Sequence, residues 1–154
     1  MTPTHAVPGS TLTLPSDTEI LLERSFRAPR ALVWRAFTDP TLLPKWYGPA
    51  EHSMTRCEID LRPGGRFLWA WGAHEMPGVF KEVDAPRRLV YEDTGETPSV
   101  VTVTFTEEKD GRTKVALLAR MTSKLARDEI LSSGWTEGTE LGYLRLDALL
   151  PELG

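Results

Sequence analysis

The side chains that most often bind metals in proteins are few and scattered in this sequence. The soft or imidazole candidates are His52, His74, Glu75 and Cys57, but no two of them sit four residues apart on a predicted helix, and the chain has no C-x-x-C motif. Zinc sites use such spacings because their ligands must converge on one ion. The sequence therefore predicts no metal site and no cofactor.

Nucleophilic catalysis also lacks a recognisable motif. A Ser, Cys or Thr nucleophile needs a base and an orienting group beside it, and neither a G-x-S-x-G motif nor a phosphate-binding glycine loop is present. The R-P-G-G sequence at 62–65 is typical of a hairpin turn instead. The segment His74-Glu75-Met76 is predicted as a turn, serving either as an exposed loop or as the rim of a pocket. No catalytic residue is predicted.

Three glycines lie four residues apart near the C-terminus, at Gly134, Gly138 and Gly142. Each glycine costs a helix roughly 1 kcal/mol relative to alanine, so another interaction must compensate. On one helical stripe, their missing side chains either allow close packing or leave a void for a ligand. Both interpretations stay open. Trp135 and Thr139 are predicted on the adjacent inner face, with Trp135 largely buried.

Aromatic residues recur on the inner positions of the predicted strands, where they either form plain core or line a pocket. Trp46 and its neighbour Tyr47 are expected to anchor short helices at the mouth of the sheet. The pocket candidates from all elements are Trp69, Trp71, Phe80, Tyr91, Phe105, Trp135, Gly138, Thr139, Gly142, Trp46, His74 and Arg24.

Arg24 falls on the inner face of the first predicted strand. An unpaired buried charge is costly, so the guanidinium requires a partner. A salt bridge to Glu137 or Glu140 is predicted, and contact with a ligand carboxylate is the alternative.

Hydrophobic periodicity predicts an α+β fold in which a curved antiparallel sheet of about six or seven strands wraps a long C-terminal helix. The expected elements are a strand over 18–27, two short helices, six strands within 51–121 and one helix over 124–150 that ends before Pro151. Residues 1–17 are rich in Thr, Pro and Ser, which predicts a flexible tail before a single domain over 18–154.

Composition narrows the class of partner. The net charge is −4 with the charges scattered, which disfavours nucleic acid. One cysteine excludes an internal disulfide, and the N-terminus has no secretory pattern, so a cytoplasmic location is expected. No apolar run is long enough to insert in a membrane.

Three motifs occur in order between Arg24 and Gly65: A-P-x-x-x-V-W, D-P-x-x-x-x-x-W-x-G-P and D-x-R-P-G-G. Together with 86–91 and 145–150, they make the chain similar to homologues of the heat-shock-protein-90 ATPase activator, over about 18–150. That family lies within the START-like, birch-pollen-allergen-like superfamily. The resemblance implies a helix-grip fold with an internal cavity.

Three functions are compatible with this fold. The leading hypothesis is binding of a small hydrophobic molecule in the cavity. A pocket enzyme of the cyclase or dehydratase type and a co-chaperone or other protein-interaction module are the alternatives, and homodimerisation stays open. A binder requires an apolar cavity with few polar anchors, whereas an enzyme requires an acid or base with a perturbed pKa beside it.

Overall fold

A computed structural model describes residues 4–7, 9–48 and 53–153. Within those residues, nine strands form one antiparallel sheet in the order β1-β2-β3-β9-β8-β7-β6-β5-β4. The strands are β1 Thr4–Val7, β2 Ser10–Thr13, β3 Glu19–Phe26, β4 Arg56–Ile59, β5 Arg66–Trp71, β6 His74–Asp84, β7 Arg88–Asp93, β8 Ser99–Glu107 and β9 Thr113–Met121. The predicted first strand and the six later strands are confirmed.

The helices are α1 Arg30–Thr38, α2 Lys124–Ser132 and α3 Trp135–Leu153, with a 3-10 turn at Leu43–Lys45. Helix α1 begins after Pro29, whose extended backbone and lack of an N–H suit a helix start. The α+β class and the helix-grip arrangement, with a long final helix against a sheet, are therefore confirmed. His52 lies outside the described residues.

The structure differs from the predicted tail at the N-terminus. β2 pairs with β3 through Ser10 opposite Arg24 and Leu12 opposite Leu22. Leu12 joins the hydrophobic core and is 5% exposed. The polar composition is compatible with a strand here because ladder hydrogen bonds hold the segment and a single leucine reaches the core.

The predicted single helix over 124–150 is wrong in two respects. It is divided after Ser132, because Gly134 adopts a φ of 89°, a conformation that ends helices and favours glycine. Gly134 therefore serves the break rather than the predicted stripe. In addition, α3 continues through Pro151 to Leu153.

The packing of side chains on the inner face of the sheet differs between the two ends of the strands. At the α1 end, Phe26 and Phe105 are fully buried, and Phe105 contacts Trp34 and Phe37 of α1 with ring centroids 5.3 and 5.2 Å away. Phe80 is buried opposite Tyr91 on the neighbouring strand. Rings in direct contact occupy the part of the interior where a cavity was expected. At the opposite end, inner positions are partly accessible, as the next section describes.

Arg24 joins an ionic cluster between the sheet and α3. Its guanidinium lies 3.5 Å from a Glu140 carboxylate oxygen and 2.7 Å from one of Asp147. The other Glu140 oxygen accepts a hydrogen bond from the Ser10 hydroxyl. The predicted Arg24–Glu140 salt bridge is confirmed, and Glu137 is exposed. Because Arg24 is 7% exposed, these partners offset the cost of burying its charge.

Candidate functional site

The end of the sheet opposite α1 carries an aromatic cluster that we call the aromatic recess, defined by Tyr47, Trp69, Trp71 and Tyr91. The Tyr47 ring lies 5.3 Å from Trp69 and 5.9 Å from Trp71, and Trp69 lies 5.5 Å from Tyr91. Strand pairing explains the grouping, because Trp69 and Trp71 share the inner face of β5 while Tyr91 occupies the same face of β7. The recess is therefore formed by β5, by β7 and by the segment that carries Tyr47, and β6 lies between the two strands.

Arg145 of α3 fixes the segment that carries Tyr47. Its guanidinium donates to the Trp46 carbonyl, at 2.9 Å from Nη2 and 3.2 Å from Nε, and also to the Gly48 carbonyl. The Trp46 indole donates to the Ala36 carbonyl at 3.0 Å. These contacts join Trp46 to both α1 and α3. Tyr47 is thereby held over the inner face of the sheet.

Tyr47 is deeply set and yet partly accessible to solvent. Burial, together with the nearby Asp93 carboxylate, raises the pKa of Tyr47 to about 12. A fully packed side chain would not keep accessible surface, whereas Tyr47 keeps some. The Tyr47 side chain therefore forms part of the accessible boundary of the aromatic cluster.

Thr139 of α3 is a partly accessible residue on the inner side of the final helix. Its helical neighbours Thr136, Glu140 and Tyr143 are buried, but Thr139 itself stays partly accessible. Residues three and four apart share one helical face, so these four surround one position on the inner side of α3. The accessible surface at Thr139 therefore adjoins the interior rather than the outer side of the helix.

Several polar atoms in this interior are buried without a hydrogen-bond partner. They include the indole nitrogens of Trp69 and Trp71 and the hydroxyl of Tyr143. Trp69 and Tyr143 are 5% and 1% exposed. Most buried donors in proteins are paired, and the indole of Trp46 is paired in this structure. These unpaired donors suit a bound molecule that offers acceptor oxygens.

The three tyrosines of the chain lie close enough for the charge of one to affect the pKa of another. Burial raises the pKa of Tyr91 and Tyr143 well above the usual value, and the charged form of each neighbouring phenol raises it further. At neutral pH the three hydroxyls are therefore protonated and are able to donate hydrogen bonds.

Some predicted site residues lie at the recess or its border. Trp69, Trp71, Tyr91 and Thr139 are placed as described above. His74 is exposed, with its ring centroid 6.0 Å from that of Trp71. His74 begins strand β6 instead of lying in the predicted turn, because Gly72 and Ala73 make the turn.

Helix α3 is rotated relative to the prediction. Trp135 is only partly buried, and the buried face follows Thr136, Glu140 and Tyr143. Trp135 packs against the hydrophobic core from the edge of this face. Gly138 faces open space, with no atom within 4 Å of an added Cβ.

The remaining predicted site residues lie in packed regions. Phe80 and Phe105 belong to the filled core, and Arg24 belongs to the ionic cluster. At Gly142 a Cβ would stand 2.9 Å from the Trp46 carbonyl oxygen, so this glycine permits close packing. The structure does not bring these four residues and Trp46 to the accessible surface of the recess.

Two residues of the interior were missed as site candidates. Tyr143 shares the buried face of α3 with Glu140, and its position three residues after this predicted partner of Arg24 could have revealed it. Asp93 occupies the inner face at the end of β7, opposite Gly78 of β6 and Ser99 of β8. The alternation of Leu89, Tyr91 and Asp93 could have revealed its orientation.

An open groove of about 470 Å³ lies on the other face of the sheet. Its walls include Leu68, Pro77 and Val79, which alternate with the inner residues of β5 and β6. This groove is open to solvent, whereas the aromatic recess lies on the inner face of the sheet, so the recess is the better candidate site.

Neither a metal cluster nor a membrane span is found in the described part of the chain. No group of three or more His, Cys, Asp or Glu side chains could hold an ion there. No helix among the described residues is long and apolar enough to cross a bilayer.

The family model described as "Activator of Hsp90 ATPase homolog 1-like protein" matches residues 27–151. The chain belongs to this family. This result confirms the resemblance carried by the three sequence motifs. The comparison with curated proteins gave no match.

Several solved structures resemble this chain over most of its length. A protein from Nitrosomonas europaea is 25% identical, with a TM-score of 0.83, and the match covers 92% of this chain and 99% of that one. A protein from Rhodobacter sphaeroides is 26% identical, with a TM-score of 0.83 and coverages of 92% and 97%. A protein from Mycobacterium smegmatis is 27% identical, with a TM-score of 0.78 and coverages of 96% and 97%.

Proposed function

We propose that this Hsp90 ATPase activator-like protein binds a small hydrophobic molecule in the aromatic recess, between the sheet and the first half of α3. The observation that carries the proposal is the state of Tyr47, which is set among tryptophans on the inner side of the fold and remains accessible. Ligand sites are concave, mainly apolar and furnished with a few polar groups. The recess has this composition.

The unpaired donors support the same function. A hydrophobic molecule with an acceptor oxygen would gain contact area from the rings and would satisfy the indole N–H of Trp69. The filled α1 end limits the size of the ligand, because the Phe37 ring already packs against both Phe105 and Tyr143. We expect the molecule to occupy the end of the interior away from α1.

A co-chaperone or other interaction role would use an exposed apolar surface instead. Leu125, Leu141 and Leu144 are exposed on α2 and α3. Nothing in their arrangement identifies a partner, so binding of a small molecule is the preferred proposal. A cytoplasmic location is proposed with it on the basis of composition.

The test measures binding of N-phenyl-1-naphthylamine, an uncharged probe whose fluorescence rises in apolar sites. We expect the wild-type protein to bind it saturably and Thr139→Phe to weaken binding by about tenfold or more, since the larger ring would occupy the accessible space at Thr139. Near-ultraviolet and far-ultraviolet circular dichroism verify that the variant is folded.

The control variant is Leu141→Ser, which removes an exposed leucine from the outer side of the same helix. Its affinity for the probe should equal that of wild type. If Leu141→Ser abolishes probe binding while Thr139→Phe leaves it unchanged, the probe binds the outer surface and the proposed function is wrong.

A further inference from the structure

Asp93 is a carboxylate that projects from the inner face of the sheet beside the aromatic recess. Its strand partners are Gly78, which has no side chain, and Ser99. One carboxylate oxygen accepts a hydrogen bond from the Gly95 N–H at 2.8 Å. The side chain is partly buried. This geometry leaves the second oxygen free at the border of the recess.

Asp93 lacks a cationic partner among the described residues. No Lys, Arg or His nitrogen there forms an ion pair with it, whereas its neighbour Glu92 pairs with Lys81 at 3.2 Å on the other face of the sheet. Buried and half-buried carboxylates are normally paired because removing their charge from water is costly. Asp93 therefore has an unused charge directed at the interior.

Asp93 follows Tyr91 by two residues on the same face of β7, which places its carboxylate beside the aromatic rings. Burial raises the pKa of Asp93, and the lowering effects of the Gly95 N–H and of His74 are smaller. In turn, the Asp93 carboxylate raises the pKa of both Tyr47 and Tyr91. The negative charge is thus felt by phenols on two sides of the recess.

The interior cations are already engaged elsewhere. Arg24 pairs with Glu140 and Asp147, and Arg145 donates to backbone carbonyls of the segment that carries Tyr47. Neither guanidinium is free to receive a ligand carboxylate. An acidic ligand would meet Asp93 without a compensating cation, and like charges at a shared site repel each other.

We infer that the aromatic recess is selective for an organic cation, a hydrophobic amine whose ammonium group pairs with Asp93 and lies against Tyr47 and Trp71, the two recess rings that keep accessible surface. The inference rests on the proposed function. Aromatic faces attract cations, and a carboxylate at the border adds a charge-assisted hydrogen bond. The indole N–H groups point along the ring edges, so they remain free for an acceptor elsewhere on the same molecule.

Three naphthalene derivatives of similar shape separate charge from apolar contact: 1-naphthylmethylamine, 1-naphthylmethanol and 1-naphthoic acid. Isothermal titration calorimetry at neutral pH measures their affinities for the full chain. We expect the amine to bind at least about tenfold more tightly than the alcohol and the acid to bind most weakly.

The decisive variant is Asp93→Asn, and the matched control is Glu92→Gln on the opposite face. Asparagine keeps an oxygen for the Gly95 N–H, so the local turn should survive. In Asp93→Asn the amine should bind only as well as the alcohol, with alcohol affinity unchanged. Glu92→Gln should behave as wild type.

The inference is overturned if the alcohol matches the amine in wild type, or if Asp93→Asn weakens the two ligands equally. In either case, saturable binding of the alcohol to the wild-type protein would leave the proposed function standing. If none of the three naphthalene derivatives binds and N-phenyl-1-naphthylamine does not bind either, the proposed function fails together with the inference.

Discussion

Two glycines on one helix should respond in opposite ways to the same substitution. Gly138 and Gly142 both lie within α3, and neither has the positive φ that forbids a side chain. At Gly138 an added Cβ meets no atom within 4 Å, whereas at Gly142 it would stand 2.9 Å from the Trp46 carbonyl oxygen. Comparing the two sites separates the effect of packing on stability from the effect of helix propensity.

The expected magnitudes follow from these two contacts. Gly138→Ala should stabilise the protein by roughly 0.5–1 kcal/mol, because alanine is the better helix former and nothing obstructs its methyl group. Gly142→Ala gains the same propensity but must displace a carbonyl that Arg145 holds with two hydrogen bonds. Overpacking costs roughly 1–3 kcal/mol, so Gly142→Ala should be destabilised by up to about 2 kcal/mol.

Urea denaturation followed by tryptophan fluorescence measures both changes in the free energy of unfolding. Thermal unfolding provides a second measure, since 1 kcal/mol corresponds to roughly 2–4 °C in a chain of this size. Gly142→Ala equal to or more stable than Gly138→Ala would refute the close approach of α3 to Trp46. It would also reopen the interpretation of Gly142 as part of a ligand void.

Two further predictions concern the N-terminal strand and the buried phenols. Leu12→Ala should lower the free energy of unfolding by roughly 2–3 kcal/mol, while Thr11→Ala on the exposed face stays within about 0.5 kcal/mol; equal stability of both variants in urea would contradict the docking of β2. Because the pKa of Tyr47 is raised from 10.0 to about 12, its stabilising effect should be complete below about pH 10 and lost as the pH rises towards 12. Urea denaturation across this pH interval measures the free energy of unfolding of wild type and of Tyr47→Phe. If this free energy falls equally with pH in both proteins, the fold does not raise the pKa of Tyr47.

Much of the fold could be predicted because the local signals agree. The alternation in β3 to β9 and the turn residues at Pro63-Gly64-Gly65 and Lys109-Asp110-Gly111 point to the same meander. The break before α3 was missed because Gly134 fits two roles equally well in sequence, as one of three spaced glycines or as a helix end. Only its backbone conformation distinguishes them.

The candidate site was predicted less completely, for reasons that involve distant partners. Glu140 is buried because Arg24 of β3 and Ser10 of β2 reach it. An inner face of α3 that is chosen from its apolar residues alone is therefore rotated relative to the observed one. Ser10 and Leu12 acquire their places through pairing with β3, which their own composition does not indicate. Trp69 and Tyr91 were identified because strand alternation is a local property, whereas the accessible surface of Tyr47 depends on a loop position that Arg145 fixes.

The strand order also determines how the sheet ends. Without β2, the alternating residues of β3 would present unpaired backbone groups along an apolar strand, and such edges recruit other chains into aggregates. β2 covers β3 from Leu21 to Arg24. At the opposite edge, β4 is only four residues long and exposes Arg56 and Glu58, two features that discourage intermolecular pairing. Removing the N-terminal hairpin should therefore affect solubility and expression as well as the free energy of unfolding.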